Sequence, residues 1–200
     1  MYNTMKKLNI ILLALVPLIF AGMPAADSYT LSPGYAVNIH GTSNLHDWNE
    51  SVGTVSGAGT VSWNNDGSFN LDAVYISMQV TSIKSTEGSI MNNNTYKALK
   101  AEACPYIVLK LNESIKSIQA KSGEAGILAK ATLTIAGVTK AIDMQVKVSM
   151  VEKGKLTFEG SQAIKMTDYG IDPPTALFGT LKTGNDITIN FKTSFTGISN

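Results

Sequence analysis

Five stretches of this chain alternate apolar residues with polar or small ones, with a period of two. Tyr35, Val37 and Ile39 form the first set, and Val74, Ile76, Met78 and Val80 the second. Ile107, Leu109 and Leu111 follow, and then Ile142, Met144, Val146, Val148 and Met150. Ile187, Ile189 and Phe191 close the series. Side chains on a strand point alternately to its two faces, so each stretch predicts a strand with one buried face and one wet face. Parallel sheets, covered on both faces, read instead as continuous apolar runs. The pattern therefore predicts an antiparallel sheet that must hide one side.

Short turns link these runs. "NNDG" at residues 64–67 separates Trp63 from Phe69, "AGVTK" at 136–140 divides two strand runs, and "EKGK" at 152–155 precedes "LTFEG". Links this short make sequence neighbours pair as hairpins. One stretch breaks the alternation: "SIMNNNTYKALKAEACP" at 89–105. Tyr96, Leu99 and Ala103 recur at helical spacing, "YKALKAEA" is rich in helix formers, and Pro105 stops the run. A short helix over about residues 89–101 is expected. Many strands with one helix fit an all-β closed antiparallel barrel, because closure removes the sheet edges. About eight strands would enclose room for side chains or one small ligand. A β-sandwich is the competing architecture.

The first residues stand apart. Lys6 and Lys7 precede the largely apolar "LNIILLALVPLIF", and small residues follow at Ala25 and Ala26. This order predicts a secretory signal peptide over residues 1–26, cleaved after Ala25 or Ala26. The apolar run falls short of the roughly 20 residues of a membrane span. No cysteine lies nearby to carry a lipoprotein anchor. Residues 27–200 then form one domain, large enough for its own core.

Composition narrows the function classes. Without Lys6 and Lys7, 14 lysines face 15 acids, a balance of −1 with no basic stripe, which argues against nucleic acid. The one cysteine, Cys104, excludes an internal disulfide framework; set against Pro105 without a local base, it reads as a small buried thiol. All 16 basic residues are lysine, so no guanidinium fork is available to clamp a phosphate or carboxylate.

"GTSNLHDW" at residues 41–48, with His40 before it, gathers both histidines, an acid and Trp48. A zinc site needs three or four ligands. Nothing in the local pattern brings His40, His46 and Asp47 together with a further one, so no metal site or cofactor is expected. A structural corner is expected instead, with Trp48 plugging one end of the barrel and Asp47 capping local amides. "DYGIDPP" at 168–174, with Leu177 and Phe178 beyond it, reads as a rigid loop at a barrel mouth, where loops commonly control entry.

Taken in order, these segments resemble the YceI-like family. "AKATLTIAGVTKAIDMQVKV" at 129–148 is similar to that family's G-x-L-T-I-x-G-V-T-K hairpin. "CPYIVLKL" at 104–111 resembles its strand after the helix, and "VTSIKS" at 80–85 the stretch before the helix. "MTDYGI" at 166–171 and "NDITINFKTSF" at 185–195 resemble its closing segments. "GTSNLHDW" resembles the exit from the first strand in a subset of members. The resemblance implies a lipocalin-like barrel in a secreted bacterial protein, with a polyisoprenoid or other lipid threaded through its interior. The family often carries an arginine and an aspartate near residues 91–94, and an arginine where Met166 stands; this chain lacks them. A non-enzymatic periplasmic or secreted carrier of a long-chain lipid is therefore expected. The alternatives are an envelope structural or interaction protein with a filled barrel and no ligand, and an enzyme using His46 and Asp47. The inward parity of the strands, with one helix residue, marks the wall: Ile76, Met78, Val80, Leu99, Leu109, Met144, Val146, Phe158, Ile164, Ile189 and Phe191. A one-residue bulge would flip the parity of any strand.

Overall fold

The computed structural model describes residues 26–120, 123–152, 154–176 and 179–198. The expected signal peptide, apart from Ala26, and Leu177 and Phe178 lie outside the described residues. In chain order the strands are β1 (Ala26–Leu31), β2 (Ala36–Ser43), β3 (Trp48–Val52), β4 (Val55–Trp63), β5 (Phe69–Gln79) and β6 (Ile83–Ser85). Helix α1 (Ser89–Ala98) follows, and then β7 (Tyr106–Leu111), β8 (Ile115–Ile118), β9 (Glu124–Ile135), β10 (Val138–Glu152) and β11 (Lys155–Lys165). β12 (Thr175–Ala176) is a short pairing against the start of β13 (Leu181–Gly197).

Twelve of these segments form eight staves of one closed barrel, because four staves are each broken in two. β1 and β2 run one after the other along β13, pairing Leu31 with Phe195 and Ala36 with Lys192. β4 pairs with β1 while β3 pairs with β2, and β5 pairs with β4 while β6 pairs with β3. β7 and β8 both pair with β5. The remaining staves are β9, β10, β11 and β13, and β13 returns to β1 to close the ring. Every pairing is antiparallel, as the alternation predicts.

The breaks in the first three staves line up, and two hydroxyls repair the ladder there. Tyr35 Oη donates to Gly53 O at 2.9 Å and accepts from Val55 N at 3.1 Å. Ser82 Oγ donates to Gln79 O at 2.7 Å and accepts from Thr54 N at 2.9 Å. These bonds satisfy backbone groups that a kinked ladder would otherwise leave bare.

The barrel has two distinct ends. One holds α1, the Ala136–Gly137 turn, the β2–β3 corner and residues 166–174; the other holds the 64–67 turn and the β10–β11 turn. At the helix end β6 pairs with β3, no pairing joins it to β7, and α1 is inserted in that connection. The helix ends at Ala98, three residues before the expected Ala101. Lys100, at φ 55°, turns the chain, and Cys104 N donates to Lys100 O at 2.8 Å. Cys104 is half-buried there rather than buried as expected.

Inward parity follows the sequence pattern with one phase change. Phe69 and Leu71 are buried, and so are the inward positions Ile127, Ala129, Ala131, Leu133 and Ile135 of β9. Between Leu71 and Val74 the pairing with β4 slips by one residue, since Val61 faces Leu71 but Thr60 faces Ala73. Asp72 is the extra residue of a β-bulge, and it restores Val74, Ile76 and Met78 to the inner face.

Candidate functional site

The barrel interior is hollow. Two chambers lie end to end, and Val37, Met78 and Ile189 line both, forming a waist between them. The first has a volume of about 110 Å³ and the second about 90 Å³. One water needs roughly 10–15 Å³ of such space, so both exceed an ordinary packing void. The cause lies in the inward residues. Ala129 and Ala131 are small residues in the wall of the first chamber, and Leu, Ile and Met supply much of the rest.

The first chamber occupies the end away from the helix. Its wall is aliphatic and aromatic, with Gln162 and Thr193 as the polar exceptions. Phe158 and Phe195 meet edge to face, their ring centroids 5.7 Å apart. Gly160 lets Phe191 lie flat on the wall, since a Cβ there would come 2.7 Å from the Phe191 ring.

The second chamber sits under the helix, and it is chemically different. Met91, Asn94, Thr95, Ala98 and Leu99 of the helical segment cover it. Trp48, Glu50 and Val52 of β3 line one side, and Met166, Tyr169 and Ile171 another. Glu50 stands between Trp48 and Val52 at an inward position, only 4% exposed. Thr95 Oγ1 donates to its Oε1 at 2.5 Å, tying the helix to the wall. Burial pushes the Glu50 carboxyl above the usual range, and the Thr95 hydrogen bond opposes that without cancelling it. Tyr169 is 2% exposed, and its hydroxyl has no hydrogen-bond partner. Burial raises its pKa, and the negative charge of Asp168 adds to this.

Of the wall residues expected from the sequence, Ile76, Leu109, Met144, Val146, Phe158 and Phe191 line the first chamber. Leu99 and Ile164 line the second, and Met78 and Ile189 line both. Val80 lines neither; it is buried in the 3-10 turn between β5 and β6, where the stave breaks. Glu50 and Tyr169 were not among the expected residues. For Glu50 the signal was present: "WNESV" alternates Trp48, Glu50 and Val52, which puts an acid at a buried parity.

The "GTSNLHDW" corner is structural. Trp48 lies directly on Gly41, where a Cβ would come within 2.1 Å of the ring, and its Nε1 donates to Thr42 O at 3.0 Å. Ser43 Oγ, rather than the expected Asp47, caps the loop amides, accepting from the backbone N of Leu45 and of His46 at 3.1 Å each. Asn44 ties the corner to β13 through Lys182 N at 2.8 Å. The histidines face different partners: His40 Nε2 is 3.7 Å from Asp47, and His46 Nε2 is 3.6 Å from Glu87. Among the described residues no group of three or more His, Cys, Asp or Glu is placed to hold a metal ion. No helix among them is long and apolar enough to cross a membrane.

Comparison with known proteins agrees with this architecture. A polyisoprenoid binding domain from Saccharophagus degradans, implicated in plant cell wall breakdown, superposes with a TM-score of 0.66 at 13% identity, covering 85% of this chain and 98% of that one. Burkholderia cenocepacia BcnA matches with a TM-score of 0.55 at 16% identity, over 80% of this chain and 95% of that one. The Campylobacter jejuni YCEI protein also gives 0.55, at 21% identity, over 76% and 85%. No curated protein matches the chain significantly. The model of the YceI-like domain matches residues 35–195, nearly all of the barrel, and the chain belongs to the YceI-like family.

Proposed function

We propose that this protein is a non-enzymatic binder of a long-chain, polyisoprenoid-like lipid, exported to the bacterial envelope, which it holds in the barrel interior. The observation that carries the reading is the pair of apolar chambers joined at the Val37–Met78–Ile189 waist. Apolar walls that continue from one chamber to the next suit an extended hydrocarbon better than a compact ligand. Each methylene moved from water into it contributes about 0.8 kcal/mol, so a long chain binds without many polar contacts. The polyisoprenoid binding domain from Saccharophagus degradans shares the fold and supports the lipid class. Export rests on the charged, apolar and small order of residues 1–26; cleavage after Ala25 or Ala26 keeps every β1 pair from Asp27 onward.

The open chambers disfavour a filled barrel with a purely structural role. An enzyme built on His46 and Asp47 is disfavoured by geometry: His46 Nδ1 lies 2.8 Å from the Asp47 backbone oxygen, while the Asp47 carboxylate faces His40. Native mass spectrometry of freshly purified protein, followed by organic extraction, tests the proposal. The expected result is an added mass that leaves as an apolar lipid. A bare chain mass, with no uptake of added isoprenoid, would return the filled barrel.

A further inference from the structure

The barrel wall is not fastened equally all the way round. β10 pairs with β9 from Val138 to Ser149, and β11 pairs with β13 from Lys155 to Lys165. Between β10 and β11, however, the pairing runs from their turn only as far as Val146 and Gly160. Beyond that point residues 138–145 of β10 and 161–165 of β11 share no register, although both strands continue towards the helix end. Residues 166–171 stand in the wall there instead: Met166, Tyr169 and Ile171 are buried and line the chamber under the helix. This panel is fastened on one side only. Thr167 N donates to Asn185 Oδ1 at 3.0 Å, and Asn185 Nδ2 donates to Thr167 Oγ1 at 2.9 Å, which ties it to β13. Against β10 it rests by packing, where a Cβ at Gly170 would lie 3.7 Å from the Val138 side chain. Tyr169, the largest side chain of the panel, keeps a buried hydroxyl with no hydrogen-bond partner, so the closed panel carries an uncompensated polar group.

The other routes to the interior are better secured. The gap between β6 and β7 is covered by α1, which Tyr96 Oη ties down by donating to Ile83 O at 2.8 Å and accepting from Lys84 Nζ at 2.6 Å. Ser85 N donates to Asn92 Oδ1 at 2.7 Å, and Thr95 holds Glu50. At the opposite end Ser68, Phe69, Ile118 and Ala120 are buried, and Trp63 stacks near Phe69 with ring centroids 5.3 Å apart. Where β8 lies beside β9 without a pairing, Ile118, Ala120, Ile127 and Ala129 are all buried. Parting any registered pair of staves would break a run of ladder hydrogen bonds, whereas parting β10 from the panel breaks none.

We infer that the hydrocarbon enters and leaves through the side of the barrel, between β10 and β11, when residues 166–171 swing away from β10 about their attachment to β13. The chain slides in broadside along the unpaired stretch, past Ile142 and Ile164, into the two chambers. Opening gives the Tyr169 hydroxyl access to water, which offsets part of the apolar surface it uncovers. This assignment rests on the lipid-binding reading above and adds to it the route of exchange.

Stapling the panel to β10 tests the route. Val138→Cys with Gly170→Cys places two thiols across the seam, and Ser85→Cys with Asn92→Cys staples the helix for comparison. All proteins carry Cys104→Ser, because Cys104 lies beside Gly137 and would compete for the new thiols. Uptake and release of the neutral dye N-phenylnaphthylamine are followed by stopped-flow fluorescence on the full mature protein, and its displacement by geranylgeraniol gives affinity. The oxidised seam pair should exchange dye at least about tenfold more slowly than the same protein reduced, with affinity unchanged. The helix staple should exchange at the parent rate. Tyr169→Phe needs no crosslink and keeps the test open should the seam pair fail to fold. It deletes the unpartnered hydroxyl, so it should raise the melting temperature and slow uptake and release alike, by about tenfold. Unchanged rates in both the seam pair and Tyr169→Phe, or slowing by the helix staple alone, would overturn the side portal while leaving a lipid binder. Failure of the parent to take up either dye or alcohol would instead bring down the lipid reading itself.

Discussion

Trp48 shows how a single residue decides between readings of the same motif. Its ring replaces a side chain at Gly41 and lines the chamber under the helix, so its role is packing. Trp48→Ala should cost about 3–5 kcal/mol, as for other buried aromatics. Gly41→Ala should cost about 1–3 kcal/mol, because the new methyl must displace the ring. His46→Ala, at an exposed loop position, should stay within about 0.5 kcal/mol. Urea melts of the three variants give the order directly; a large effect at His46 with little at Trp48 would restore a chemical role for the corner.

Glu50 carries a pH signature at the same scale. Burial raises its folded-state pKa above the ordinary 4.5. A raised carboxyl pKa means that the folded state binds the proton more tightly than the unfolded chain. Its contribution to stability is therefore complete below pH 4.5 and is lost as pH rises through the folded value. Glutamine mimics the protonated acid. Glu50→Gln should match the parent in acid and become progressively more stable than it towards neutral pH. Thermal melts across that range check this, and a constant difference between the two proteins would contradict it.

Among the elements, β5 is the most informative, because its first half and second half are out of phase. The bulge at Asp72 allows both halves to face inward. Its carboxylate accepts from Ser62 Oγ at 2.6 Å, Ser114 Oγ at 2.9 Å and Lys116 Nζ at 2.8 Å, which fastens the neighbouring staves across the bulge. Burial pushes the Asp72 carboxyl up, but these three hydrogen bonds outweigh it and hold it below its ordinary value. Deleting Asp72 would put Val74, Ile76 and Met78 on the solvent face or force the 69–71 segment outward. Either outcome exposes a row of core residues, and the deletion should abolish cooperative unfolding. The substitution Asp72→Ala keeps the residue count; it should fold, with a loss of about 1–3 kcal/mol. Near-UV circular dichroism and urea melts distinguish them, and a deletion variant as stable as the substitution would show that the bulge is dispensable.

Across the whole molecule, the waist makes the two chambers one slot or two. Ile189 lines both chambers and stands on β13, the stave that closes the barrel. Ile189→Trp should fill the waist. If a long chain threads through it, affinity for a twenty-carbon isoprenoid should fall by more than tenfold, while a ten-carbon one, short enough for a single chamber, should bind nearly as before. Overpacking should cost no more than about 1–3 kcal/mol, because open space adjoins the site. Displacement assays with both chain lengths, run beside urea melts, measure this. Equal losses for the two lengths would place the ligand wholly on one side of the waist.

How much of this was legible beforehand depends on the range of the forces involved. Period-two alternation, the "NNDG" and "AGVTK" turns and the helical spacing around Tyr96 are local, so the sequence by itself determined an antiparallel barrel with one helix, and its inner face on β7, β10 and β13. The resemblance of those segments to the YceI-like family was readable for the same reason, since it lies in their order. Only the tertiary structure decided where staves break, because the Tyr35 and Ser82 hydroxyls that repair the breaks reach across to other strands. Val80 shows the consequence: its parity matched the wall, but the turn at the break leaves it buried in the core away from both chambers. Hollow or filled was also beyond the sequence, since it depends on which small residue, such as Ala131, faces which large one around the ring. The polar end of the slot is the clearest case. Glu50 and Tyr169 come from opposite halves of the chain; the alternation of "WNESV" puts Glu50 at a buried parity, but nothing local brings Tyr169 near it. They line one chamber because closing the ring through β13 carries residues 166–171 round to the same end as β3.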